Sequence, residues 1–114
     1  MIEITFLKLG KTGEICGYEI SGHANYAEHG KDIICSAVSS AAYMVINTLV
    51  DVVNVDADVK VNEDGYMHIF VYKKYVSDCK VLFEGLKLHF VSLEEIYPQN
   101  IKVNYQEVEY DVND

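Results

Sequence analysis

From Ile33 to Asn54 the chain contains neither proline nor glycine, and Ile34, Ala37, Val38, Ala41, Val45, Leu49 and Val52 fall on one side of a 3.6-residue repeat. A helix with so long an apolar stripe needs a broad apolar partner, and the flanking segments supply one. Ile2 to Leu9 alternates apolar and polar residues as a strand does, Gly10-Lys11-Thr12-Gly13 reads as a turn, and Ile15 to Ile20 as the returning strand. Val59–Val61 and Tyr66–Tyr72 flank Asn62-Glu63-Asp64-Gly65, whose Asp-Gly pair is a hairpin signal. Val76 to Ile96 carries Cys79, Leu82, Phe83, Leu86, Phe90 and Leu93 at helical spacing and is followed by the chain's one proline, Pro98. Ile101 to Tyr110 alternates again, and Asp111 to Asp114 is an acidic end. The order ββαββαβ predicts a single α+β domain over 1–114, a two-layer sandwich in which two helices cover a mostly antiparallel sheet. The strand order stays open.

The start of the first helix is also where the chemistry concentrates. A cysteine is a useful nucleophile only as the thiolate, and a helix N-terminus beside an imidazole is a setting that favours that form. Residues 21–40 combine Gly22-His23, a polar loop, His29-Gly30, Asp32 and Cys35. Asp32 is expected as the N-cap, which puts Cys35 at the third helical position. His23 lies twelve residues upstream on a stretch bounded by Gly22 and Gly30, so that loop can fold back over the sulfur. His29 competes for the role of base. The amides of Cys35 and Ser36, unpaired at a helix start, are candidates to stabilise an oxyanion. Asp32 could orient His23 instead, but its charge near sulfur disfavours the thiolate, so the cap is the expected role.

Each of these residues has an ordinary alternative. Free cysteine is among the most buried residue types, and Ile33-Ile34-Cys35 could simply begin a packed helix. A zinc site from His23, His29, Asp32 and Cys35 has no typical ligand spacing beyond that of His29 to Asp32, and no metal is expected. His68 and His89 fall within a strand and a helix and read as partly buried residues, and the nine tyrosines as packing groups. Cys16, Cys35 and Cys79 are odd in number and widely spaced, which points to reduced thiols.

Nine basic against eighteen acidic residues leave a net charge of −9, which repels phosphate backbones and argues against direct nucleic-acid binding. The opening segment lacks the pattern of a signal peptide, and no apolar run is expected to reach the roughly 18 residues of a membrane span. A soluble, cytoplasmic protein is the expectation. Tyr43, Met44 and Ile46 lie off the main stripe of the first helix, so part of it is expected to meet a second subunit in a symmetric dimer.

Taken together, Gly22-His23-Ala24, Ala27, Gly30, Asp32-Ile33-Ile34-Cys35 and Ala37-Val38-Ser39 resemble the signature of the bacterial ribosomal-processing cysteine protease family, also called Prp. The resemblance runs the length of the chain, with Ser36 standing where members often have alanine. It implies a cysteine endopeptidase that removes the N-terminal extension from the precursor of the twenty-seventh large-subunit ribosomal protein, with Cys35 as nucleophile and His23 as its base. It further implies a homodimer without a cofactor, whose substrate is apolar before the cut and basic after it. An acidic enzyme suits such a substrate. The reading from another class is a non-catalytic, ribosome-associated module that binds a basic peptide.

Overall fold

The computed structural model describes residues 1–23 and 31–110, with only the backbone of residues 31 and 32. Five strands form one mixed sheet in the order β3-β4-β2-β1-β5. They are β1 (Ile2–Leu9), β2 (Ile15–Gly22), β3 (Ala57–Val61), β4 (Met67–Val71) and β5 (Ile101–Val108). The helices are α1 (Lys31–Asn47) and α2 (Val76–Ile96). β1 pairs with β2, β2 with β4 and β3 with β4 antiparallel, whereas β1 and β5 run parallel. The ββαββαβ order and the two layers agree with the sequence reading, and the parallel edge is the feature it did not contain.

Both helices lie on the same face of the sheet, as one side chain demonstrates. Tyr18, fully buried on β2, donates its hydroxyl to the carbonyl of Ala42 on α1 at 2.7 Å, and its ring meets Phe83 of α2 edge-on at 6.0 Å. Burial pushes the Tyr18 phenol far above its usual pKa, so it stays protonated and remains a donor. Phe6, its partner in the β1–β2 register, touches both Tyr18 and Phe90 of α2. Ile4, Ile69, Ile34, Val38, Val45 and Leu49 complete the buried layer between sheet and helices. The opposite face carries the alternate residues, among them Glu19 and His68, which are cross-strand neighbours.

Two details of α1 correct the sequence reading. The helix opens at Lys31, so Asp32 is inside its first turn and is not the flanking cap residue, and Cys35 is fifth and not third. At the other end the α-helix stops at Asn47 and continues as a wider π turn over Thr48–Val52. There the Val53 amide reaches back to the Thr48 carbonyl at 2.9 Å, and Thr48 donates its hydroxyl to the Met44 carbonyl. Asn54, at φ 64°, then reverses the chain. The span Ile33–Val52 is long and apolar enough to cross a bilayer on composition, which the sequence reading did not anticipate. Its apolar stripe is instead taken up by the sheet, through Ile34, Val38, Val45 and Leu49.

Candidate active site

The end of β2 is held by the beginning of β1. Ile2 faces Gly22 in the antiparallel register, and the Met1 nitrogen donates a hydrogen bond to the carbonyl of His23. Gly22 has φ +86°, and a Cβ built on it would stand 2.2 Å from the Met1 carbonyl oxygen. Glycine is required there both by the backbone angle and by the closeness of β1. His23 therefore leaves the sheet from a fixed point.

Helix α1 brings the sulfur to the same place. Ile34 and Val38 are one turn apart and press on the sheet, which anchors the helix along that side. Cys35 sits about 100° around the helix from Ile34. It is half-buried, packed against the core on one side and open on the other. Ile33 and Ser36 face solvent.

A third element completes the site. Asn62, just after β3, accepts the amides of Asp64 at 2.9 Å and Tyr66 at 3.3 Å on its Oδ1, and its own amide donates to the Tyr66 carbonyl. Gly65, at φ +87°, closes that turn directly across from the Gly22 carbonyl, which a Cβ on Gly65 would approach to 4.0 Å. The β3–β4 turn is thereby brought against the end of β2.

These three elements enclose a cleft of about 180 Å³ whose walls include His23, Cys35, Ser39, Glu63, Asp64 and Gly65 over a floor of Ile2, Ile20 and Val38. The sequence-predicted pair His23 and Cys35 thus share one cavity, with Gly22 beside them. Ser36 does not line it. In an α-helix opening at Lys31, the amides of Cys35 and Ser36 reach back to the carbonyls of residues 31 and 32, so the expected oxyanion role for Ser36 is not supported. His29, Gly30 and the Asp32 side chain lie outside the described residues, so the competition between His23 and His29 is left to experiment, as is the zinc reading that needs them.

Ser39, Glu63 and Asp64 are wall residues to which the sequence reading gave no role in the site. Ser39 was accessible in principle, since it follows Cys35 by four residues and so shares its side of the helix. Residues 62–65 were recognisable only as a turn.

The three thiols differ in setting. Cys16 and Cys79 are fully buried, and burial pushes each thiol up to about 11. At pH 8 only about one in a thousand of either is then thiolate. We expect iodoacetamide at neutral pH to label the folded protein once, at Cys35, as read by peptide mass mapping. Equal labelling of all three would show that Cys35 has no special access.

The chain is similar to known proteins over most of its length. The sequence pattern of the family described as cysteine protease Prp matches residues 1–102. The chain is 27% identical over 108 residues to the ribosomal processing cysteine protease Prp of Bacillus subtilis, covering 90% of this chain and 96% of that protein. It is 24% identical over 106 residues to the Staphylococcus aureus protein of the same name, covering 92% and 97%. A crystal structure of S. aureus Prp with a covalently linked product peptide superposes with a TM-score of 0.82 at 22% identity, covering 93% of this chain and all of that one. A Streptococcus mutans structure gives 0.78 at 30% identity, covering 95% and 96%.

Proposed function

We propose, from the premise that this chain belongs to the cysteine protease Prp family and is a cysteine-type endopeptidase, that it cuts the N-terminal extension from the precursor of large-subunit ribosomal protein twenty-seven in the cytoplasm. The observation that carries this reading is the placement of Cys35 and His23 in one cleft. Cys35 is the nucleophile: its sulfur attacks the scissile carbonyl carbon as the imidazole of His23 takes the thiol proton. The tetrahedral intermediate collapses, the C–N bond breaks, and His23 returns the proton to the departing amine. Water, deprotonated by His23, then cleaves the thioester and frees the thiol. The test is incubation of the purified chain with the precursor protein, followed by intact mass. Loss of the extension is expected. A precursor that binds and stays whole would replace the protease reading with that of a peptide-binding module.

The assembly we propose is a homodimer through the helical layer. Met44 on α1 and Val81 on α2 are 54% and 84% exposed, and both line a groove of about 550 Å³ between the helices. Exposed apolar side chains on both walls of one groove are suited to association. Sedimentation should give twice the 12.9 kDa chain mass, and Met44→Glu with Val81→Glu should return it to the monomer. A monomeric parent protein at micromolar concentration would refute the assembly.

A further inference from the structure

The turn that walls the cleft is fastened to β2 from the face of the sheet that the helices leave bare. The β2–β4 ladder ends with Ile20 opposite Met67, so Gly22 and the β3–β4 turn both lie beyond it. Asn62 bonds to the amides of Asp64 and Tyr66, which fixes the shape of the turn but not its distance from β2. Tyr66 supplies the link. Its hydroxyl donates to Oε2 of Glu19 at 2.9 Å, reaching from outside the ladder to a residue within it. The same oxygen faces Nδ1 of His68, the register partner of Glu19, at 3.6 Å. That nitrogen is buried and has no hydrogen-bond partner among the described residues. Two groups thus converge on one carboxylate oxygen, and Tyr66 is the one that bonds to it. The bond to Glu19 raises the Tyr66 phenol above its usual pKa, so the hydroxyl stays a donor at neutral pH.

We infer that Glu19 and Tyr66 are positioning residues for substrate binding: the bond between them holds the wall formed by Glu63, Asp64 and Gly65 in place across the cleft from Cys35. Neither residue lines the cavity, and both act through the turn. Tyr66 adjoins Gly65 in the chain, so a displacement of one is passed to the other. Gly65 in turn stands against the Gly22 carbonyl at the end of β2. In a cleft of about 180 Å³ the wall has little room to move before the fit of a peptide backbone changes. A misplacement of about 1 Å is enough to cost a reaction heavily. This inference rests on the protease reading of the same cleft. Changes made away from a site alter it by roughly two- to thirtyfold, and loss of this one bond should raise KM by about fivefold.

The test compares Tyr66→Phe, Glu19→Ala and Glu19→Gln in the full chain, with a synthetic peptide spanning the processed junction of the ribosomal precursor as substrate. Tyr66→Phe and Glu19→Ala should each raise KM about fivefold and leave kcat within about twofold. Glu19→Gln keeps a carbonyl oxygen that can accept from the Tyr66 hydroxyl, and should stay within about twofold of the parent in both constants. The double variant Tyr66→Phe with Glu19→Ala should be no worse than the worse single one, because both remove the same bond. Amide hydrogen exchange at Asp64 and Tyr66, read by NMR, should be about fivefold faster in the two disrupted variants and restored in Glu19→Gln. Unchanged exchange overturns the inference, and so does a lowered melting temperature with KM unchanged, which would make the bond structural only. A fall in kcat with a displaced pH profile also overturns it, since the turn would then be acting on His23. If the parent leaves the peptide whole, the protease reading fails on its own. Fluorescence anisotropy of the same peptide then gives Kd in place of KM, and a Kd unmoved by Tyr66→Phe overturns the assignment of the tether as well.

Discussion

Cys35→Ala is expected to leave the ribosomal precursor uncut, with a loss of at least roughly 10⁴-fold in rate and no change in the folded state. Alanine is a little smaller than cysteine at a half-buried position, and its methyl keeps the contact with the core, so stability should move by less than about 1 kcal/mol. What disappears is the atom that forms the acyl-enzyme in the proposed mechanism. His23→Ala should be nearly as severe, because a thiol without its base is present largely in the protonated, unreactive form. The two losses should not add: the double variant should be no slower than the worse single one, since nucleophile and base act as a unit. His29→Ala should retain activity within a few-fold. Cleavage that persists in Cys35→Ala would remove the assigned nucleophile, and loss in His29→Ala with retention in His23→Ala would transfer the role of base.

Which parts of this site could be read from the sequence follows from which interactions are local. The β1–β2 and β3–β4 hairpins announce themselves through turns of four residues, and α1 and α2 through apolar spacing, because each signal is contained in its own segment. Tyr18 is an instance of what is not so contained. Its position inside β2 is legible, but its hydroxyl is satisfied by the Ala42 carbonyl twenty-four residues on, a contact that exists only once α1 lies on the sheet. The parallel pairing of β1 with β5 likewise depends on where α2 delivers the chain. At the start of α1 the expectation rested on Asp32 as the cap, yet a carboxylate is also favourable inside the first turn, and the sequence does not distinguish the two. That one choice shifted Cys35 by two positions and led to Ser36 as an oxyanion donor. The Asn62–Gly65 turn shows the opposite case: its conformation was legible and its neighbour was not. Nothing in four polar residues at a hairpin reveals that they stand against the end of β2.

Gly22→Ala should remove most activity, by about 10²-fold or more, in a protein that still folds. Two penalties fall on the same atom. A residue with a Cβ at φ +86° costs on the order of 1–3 kcal/mol, and the added methyl would lie 2.2 Å from the Met1 carbonyl oxygen, too close for any packing adjustment of side chains to relieve. The backbone must shift, and the element that moves is the end of β2 that carries His23. The adjoining pairs of β1 and β2, from Glu3 opposite Ser21 onward, are unaffected and hold the sheet together. The damage should therefore appear first as a misplaced imidazole. Gly65→Ala is the control for strain without collision, since φ is again positive, at +87°, but the nearest atom is the Gly22 carbonyl oxygen at 4.0 Å. It should lower the melting temperature by less than Gly22→Ala does and reduce kcat/KM by a smaller factor. Thermal melts and kcat/KM measured on both variants separate the two effects. Gly22→Ala protein that cleaves within about threefold of the parent would show that the clamp between β1 and β2 does not set the position of His23, since a displaced base should cost far more.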